Sequence, residues 1–187
     1  MLLLEFDDEV EGFEEQPVKI PVPGGRGSAA YYVPDILVRR KPSPSGATFT
    51  LFEVKHTSDL EKDKNKPKYA QKFAAAGQFA VDRGWKFQVV TEKDIRSPYL
   101  ANLKFLREYH NVQPDDDSIH QVTQALVDCG GSATYTELLD QMAPTDDVRL
   151  AVLPVLWHMV AVRKIMIDLS LPIGVETRLS LPKGNTP

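Results

Sequence analysis

The stretch that decides the fold runs from Tyr31 to Lys55, YYVPDILVRRKPSPSGATFTLFEVK. It holds two runs of strand-forming residues, 31–41 and 47–55, separated by Pro42-Ser43-Pro44-Ser45-Gly46. Such a separator is made of turn formers, so the pair reads as a β-hairpin. With the turn centred near Pro44, Asp35 and Glu53 each stand nine residues from the centre and face one another. Side chains alternate faces along a strand, which places Glu53 and Lys55 together and Phe52 and Val54 opposite. One face of the hairpin therefore gathers two carboxylates and an ammonium, and apolar residues are expected on the other.

That trio suits phosphodiester hydrolysis. Mg²⁺ takes hard oxygen ligands from one or two carboxylates and keeps several waters. Such an ion polarises a scissile phosphate and lowers the pKa of a bound water. A lysine two residues from a metal carboxylate can hold that water and offset charge building on phosphorus. The pattern Pro34-Asp35, seventeen residues, then Glu53-Val54-Lys55 matches the PD-(D/E)xK nuclease signature. The signature is short and degenerate. Its context here is strand, turn, strand, basic loop, amphipathic helix, strand, which is the setting it requires.

Downstream of Lys55, the run Leu60-Glu61-Lys62-Asp63-Lys64-Asn65-Lys66-Pro67-Lys68 alternates in charge. Lys62, Lys64, Lys66 and Lys68 are candidate contacts to a DNA backbone, with a solvated loop as the alternative. His56 reads as a surface neighbour of the site rather than a ligand. A helix is expected from Pro67 to about Arg83, with Tyr69, Phe73, Ala76 and Ala80 as its apolar stripe. The small residues at 74–77 would let it pack closely on a sheet. Gly84 ends it, and 85–91 reads as a buried central strand. Ser97-Pro98 opens another helix with Leu100, Leu103, Leu106 and Tyr109 inward. Upstream, 1–7 resembles the last turns of a helix, 7–17 an acidic connector and 18–22 a short strand. The glycines of 24–27 lack the lysine and the strand-to-helix setting of a phosphate loop, so a hairpin turn is expected there.

At 187 residues the chain can bury one sizeable core or two small ones. Hydrophobic and charged fractions of 42% and 26% are those of a water-soluble globular protein. The single cysteine, Cys129, cannot form an internal disulfide, which points to a reducing compartment such as the cytoplasm. No apolar run reaches membrane-spanning length. The net charge of −4 is unevenly spread. Residues 39–104 hold fourteen basic and seven acidic side chains, whereas 1–15 hold seven acids and no base. The positive excess lies around the hairpin, where a nuclease meets phosphates.

Asn111 to Ser118, NVQPDDDS, is polar and acidic and reads as a domain boundary, dividing the chain into 1–112 and 113–187. Beyond it come a helix over 119–129 ended by Gly130-Gly131 and a second opened by Thr134 and Glu137 at capping-box spacing. A third, apolar helix is capped by Asp146 or Asp147 and bends at Pro154. Strand-like segments at 162–169 and 175–181 complete a winged-helix order. Its third helix offers one arginine, Arg149, among much hydrocarbon, and the domain is acidic, so docking to protein is expected rather than major-groove reading.

Taken together, Leu2-Leu3-Leu4-Glu5-Phe6-Asp7, Phe13-Glu14-Glu15-Gln16-Pro17, Tyr31-Tyr32-Val33-Pro34-Asp35, Glu53-Val54-Lys55, Trp85-Lys86-Phe87 and Val90-Thr91-Glu92-Lys93-Asp94-Ile95 resemble the TnsA-type endonucleases, subunits of heteromeric cut-and-paste transposases. The resemblance implies an α/β fold, a restriction-endonuclease-like core of a central mixed sheet flanked by helices, followed by a small winged-helix domain. It implies an Mg²⁺-dependent DNA endonuclease, with Mn²⁺ as substitute, cutting the 5′ ends of a mobile element. Asp35, Glu53 and the Val54 backbone carbonyl would bind the metal, and Lys55 would be the catalytic lysine. The implied partners are transposon-end DNA, a DDE-type transposase subunit (TnsB) and an AAA+ ATPase regulator (TnsC). The family pattern also carries a glutamate on its first helix upstream of the segment matched by 2–7, a helix expected to be truncated here, and Glu5 is not taken as its stand-in. Two other readings stay open: a catalytically weak adaptor bridging transposase and ATPase, and a stand-alone nuclease of resolvase or repair type.

Overall fold

The computed structural model describes residues 1–24, 30–42, 46, 48–62 and 66–182. Contacts divide the chain into two compact units, Met1–Arg96 and Ser97–Pro187.

In the first unit, α1 (Leu2–Glu5) leads into β1 (Val10–Glu15), followed by β2 (Ile20–Pro21), β3 (Tyr31–Tyr32), β4 (Ile36–Arg40) and β5 (Phe49–Val54). Then come α2 (Thr57–Glu61), α3 (Lys66–Val81), β6 (Lys86–Val90) and α4 (Glu92–Ile95). Four strands form one mixed sheet in the order β1-β4-β5-β6. The pairs β1–β4 and β4–β5 are antiparallel, while β5–β6 is parallel. A parallel pair needs a crossover, and α2 with α3 provides it.

The β4–β5 hairpin has the register read from the sequence: Ile36 pairs with Phe52, Leu37 with Leu51, Val38 with Thr50 and Arg39 with Phe49. Residues 43–45 and 47 of its turn lie outside the described residues, as do 25–29 of the glycine-bearing turn. The strands that flank the latter do pair antiparallel, Ile20 with Tyr32 and Pro21 with Tyr31.

In this unit three expectations change. Residues 7–17 are not merely a connector, because 10–15 form β1. Its acidic composition hides the strand, and its partner supplies the compensating charge: Arg39 Nε lies 3.3 Å from Glu11 Oε2, and Arg40 Nη1 donates to Asp7 Oδ2 at 2.7 Å. Tertiary pairing outweighs local propensity in strands. The strand at 86–90 is an edge of the sheet among the described residues, not its centre, and alternates exposed Lys86 and Gln88 with half-buried Phe87 and Val89. Nor is the hairpin apolar on one face only. Leu51, fully buried, shares the face of Glu53 and packs with Ala76 and Ala80 of α3. The carboxylates therefore stand at the end of the face that the helix covers.

The stripe on α3 is as read: Ala76 and Ala80 are buried, and Tyr69 stacks on Phe73 with centroids 5.6 Å apart. Gly77 is different, since an added Cβ would meet nothing within 4 Å, so packing does not require a glycine there.

The second unit comprises α5 (Pro98–Arg107), α6 (Asp116–Asp128), β7 (Ser132–Thr134), α7 (Tyr135–Met142), α8 (Asp146–Ala161) and β8 (Arg178–Ser180). Its core gathers Leu106, Val122, Leu126, Leu138, Leu156, Met159, Ile165 and Leu179. Ser97 caps α5 by accepting from the Leu100 N–H at 3.4 Å. The division between the units thus falls before α5, whereas the sequence reading put a boundary at 112/113. The reason is Asn102, buried on α5. Its Nδ2 donates to the carbonyls of Leu169 and Leu171 at 2.9 and 2.7 Å, and its Oδ1 accepts from the Ile173 N–H at 3.3 Å. Those bonds join α5 to a segment far along the chain.

The helix at 116–128 ends as expected at Gly130 and Gly131, with φ of +76° and +85°, a left-handed bend that glycine alone takes without strain. The capping box of Thr134 and Glu137 is complete. The third helix is capped by Thr145, not by Asp146 or Asp147, which stand in its first turn. It continues through Pro154 as one helix. The two expected strands shrink to β8 and a single bridge between Met166 and Ser180, while β7, not foreseen, pairs with β8. Among the described residues no helix is long and apolar enough to cross a membrane.

Candidate active site

Asp35 follows the buried Pro34 and directly precedes β4. Its main chain is held on both sides: its N–H donates to the Phe52 carbonyl at 3.0 Å, and its carbonyl accepts from the Gln16 N–H at 2.8 Å. Gln16 reaches that carbonyl with φ of +49°, a left-handed conformation just after β1. The Asp35 side chain turns toward β5, where Oδ2 accepts from the Val54 N–H at 2.7 Å. Asp35 and Glu53 are thus neighbours at one end of the hairpin, as the register requires.

Glu53 is 3% exposed. A carboxylate so desolvated needs a counter-charge, and the Lys55 ammonium supplies it by pairing with Oε1. Lys55 also donates to the Val54 carbonyl at 3.1 Å, and its own N–H donates to Val90 O of β6 at 3.0 Å. Glu53 Oε2 is buried with no hydrogen bond among the described residues.

Beside it lies a residue that sequence reading missed. The hydroxyl of Tyr32 is also buried and, among the described residues, has no hydrogen bond of ordinary geometry. Burial first, and the neighbouring Glu53 carboxylate second, push that phenol above its usual range. The Tyr32 ring meets Phe73 edge-on at 6.4 Å, and Lys72 Nζ lies 5.7 Å from its centroid. Tyr32 stands three residues before Asp35, on β3, where it pairs with Ile20 of β2. Its position beside the Pro34-Asp35 pair was the one signal available.

The basic loop is only partly placed. Lys62 donates to Asp59 Oδ1 at 2.7 Å. Lys66 and Lys68 are exposed at the start of α3, and Lys64 lies outside the described residues. Arg39 and Arg40, part of the positive excess counted in the sequence, are committed to Glu11 and Asp7. Beyond Lys55, His56 Nδ1 lies 3.5 Å from Glu92 Oε2, and the Thr57 N–H donates to the same oxygen at 2.9 Å.

No group of three or more His, Cys, Asp or Glu side chains able to hold a metal forms among the described residues. The face offers two carboxylates and a main-chain carbonyl, with one buried carboxylate oxygen that has no hydrogen bond of ordinary geometry among the described residues. That donor set is all oxygen and hard, which fits Mg²⁺ better than a thiophilic metal.

A mixed α/β unit that brings an aspartate, a buried glutamate and a lysine to one end of its sheet has the groups for acid–base or metal-assisted hydrolysis. Two family models match the chain, TnsA-like endonuclease N terminal over residues 7–92 and TnsA endonuclease C terminal over residues 94–169. The chain belongs to the TnsA endonucleases and is a nuclease subunit of a transposase. The two matched segments meet close to the division between the compact units. A comparison with curated proteins gave no significant match.

Proposed function

We propose that the chain is a metal-dependent DNA endonuclease that cuts the 5′ ends of a mobile element during DNA transposition. The observation that carries the reading is the joining of Asp35 to Val54 and of Lys55 to Glu53 at one end of the β4–β5 hairpin. Asp35, Glu53 and the Val54 carbonyl would hold Mg²⁺, or Mn²⁺ in its place, in a PD-(D/E)xK arrangement. When bound, the ion supplies Lewis-acid polarisation of the scissile phosphate and a more acidic water. Lys55 holds the attacking water and balances charge developing on phosphorus. The exposed cations Lys62, Lys66 and Lys68 follow the site along the chain and would meet the phosphates of transposon-end DNA, with Lys64 between them in sequence.

In the second unit, the order helix, short strand, helix, helix, bridge, strand supports a winged-helix reading. Its acidic composition favours protein over DNA as its partner. The partners would be the DDE-type transposase subunit (TnsB) and the AAA+ regulator (TnsC). A reducing cytoplasm is the setting in which Cys129 stays a thiol.

Asp35→Asn tests the site, because the amide oxygen can still accept from the Val54 N–H while the charge is lost. We expect 5′-end cleavage to fall on the order of 10²–10⁴-fold, the range for removing a principal catalytic group. Mn²⁺ binding by calorimetry should fall with it, and the melting curve should stay near the parent's. Cleavage at the parent rate would overturn the assignment. A second reading, an adaptor that cuts weakly, is favoured by the lack of a third acidic ligand among the described residues. Full transposition with Asp35→Asn would support it.

A further inference from the structure

The block Val90-Thr91-Glu92-Lys93-Asp94-Ile95 carries part of the family resemblance, yet none of it belongs to the carboxylate–lysine face. Its place in the fold gives it a task. Since β6 runs parallel to β5, α4 and the residues after Lys55 leave the sheet at the same end. The two ends are sewn together in succession. The Lys55 N–H donates to Val90 O at 3.0 Å, and two residues on the Thr57 N–H donates to Glu92 Oε2 at 2.9 Å. That same oxygen stands 3.5 Å from His56 Nδ1. Thr57 opens α2, whose cap residue His56 makes no side-chain cap, so Glu92 satisfies from another element a donor that a helix start leaves orphaned. Glu92 is itself firmly seated. Thr91 and Asp94 close a capping box at the start of α4, with the Thr91 N–H donating to Asp94 Oδ2 at 2.7 Å. The Thr57 bond is the main reason that the Glu92 carboxyl is held down at about 2, so it is ionised whenever the protein is folded near neutrality.

We propose that Glu92 is a positioning residue for Lys55. Its carboxylate grips the two residues after the lysine and fixes the turn from which the ammonium reaches Glu53. The inference rests on the reading of Lys55 as a group that acts on the phosphodiester. A reacting group displaced by about 1 Å can cost on the order of a hundredfold in rate. One residue separates Lys55 from Thr57, so loss of the grip is felt at the lysine.

The test compares Glu92→Ala and Glu92→Gln with Asp35→Asn, all in the full chain. Glu92→Ala should lower single-turnover cleavage at saturating DNA and metal by ~10–100-fold, leaving DNA affinity unchanged. Exchange of the Thr57 amide hydrogen should quicken in the same variant. Glu92→Gln keeps an acceptor for Thr57 and should recover most of the rate and the protection. Glu92→Ala that cuts like the parent, or an unchanged Thr57 exchange rate, overturns the proposal. An inactive Asp35→Asn beside a fully active Glu92→Ala sinks the role of Glu92 alone. Parent-like cleavage by Asp35→Asn instead sinks the reading of the catalytic face, while amide exchange still decides whether Glu92 grips the turn.

Discussion

Glu53 sets the terms for the residues around it, since a nearly dry carboxylate is tolerated only with a cation or strong donors at hand. Lys55 meets that need at Oε1, and nothing among the described residues completes it at Oε2. Lys55→Met should therefore do two things: end cleavage and destabilise the fold by about 2–4 kcal/mol, because it strands a buried charge. Chemical denaturation reads the second effect, and the double variant Lys55→Met/Glu53→Gln should recover much of the loss. Tyr32→Phe makes the opposite case. It keeps the ring against Phe73 and removes a hydroxyl that has no hydrogen bond of ordinary geometry among the described residues, so stability should change by less than about 1 kcal/mol. A loss well above that would mean that the hydroxyl does bond to Glu53 in solution.

Among the elements, α2 and α4 are short and depend on what their ends touch. Glu92 is lowered from its ordinary 4.5 to about 2, chiefly by the Thr57 N–H. A depressed carboxyl contributes its bond in full above its ordinary value and loses it as pH falls through the folded one. The Thr57 amide resonance should accordingly titrate with a midpoint near 2 rather than 4.5. A midpoint at the ordinary value would show the link to be absent. The longer α3 offers a simpler expectation. Gly77 lies inside the helix with open space where a Cβ would stand, so Gly77→Ala should raise stability by about 0.5–1 kcal/mol in thermal or urea unfolding. The strand at 10–15 shows why an element can escape a sequence reading. Its glutamates look like a solvated connector until the arginines of β4 lie beside them.

For the whole molecule, the decisive fact is that α5 belongs to the second unit. Asn102 ties α5 to 169–173 with three hydrogen bonds, and Leu106 joins the core of that unit. A chain divided between Arg96 and Ser97 should yield two pieces that each melt cooperatively by circular dichroism. Division at 112/113 should leave the second piece with stranded carbonyls and a poorly cooperative melt. Asn102→Ala in the full chain should cost that unit about 1–3 kcal/mol, since it breaks three part-buried hydrogen bonds at once.

The hairpin register, the meeting of Asp35 with Glu53, the stripe on α3 and the capping box at Thr134 were legible in the sequence, because each rests on a local period or a turn of fixed length. Family membership was legible for a related reason: short blocks in a fixed order are a one-dimensional signal. Other features arose only on folding. Tyr32 and Glu92 reach the site through strand pairing and a parallel crossover, contacts between segments that no local pattern relates. The burial of Glu53, the pairing of β1 and the assignment of α5 likewise depend on which surfaces meet. Sequence spacing determines which face a side chain takes along its own element, and packing between distant elements decides what that face encounters.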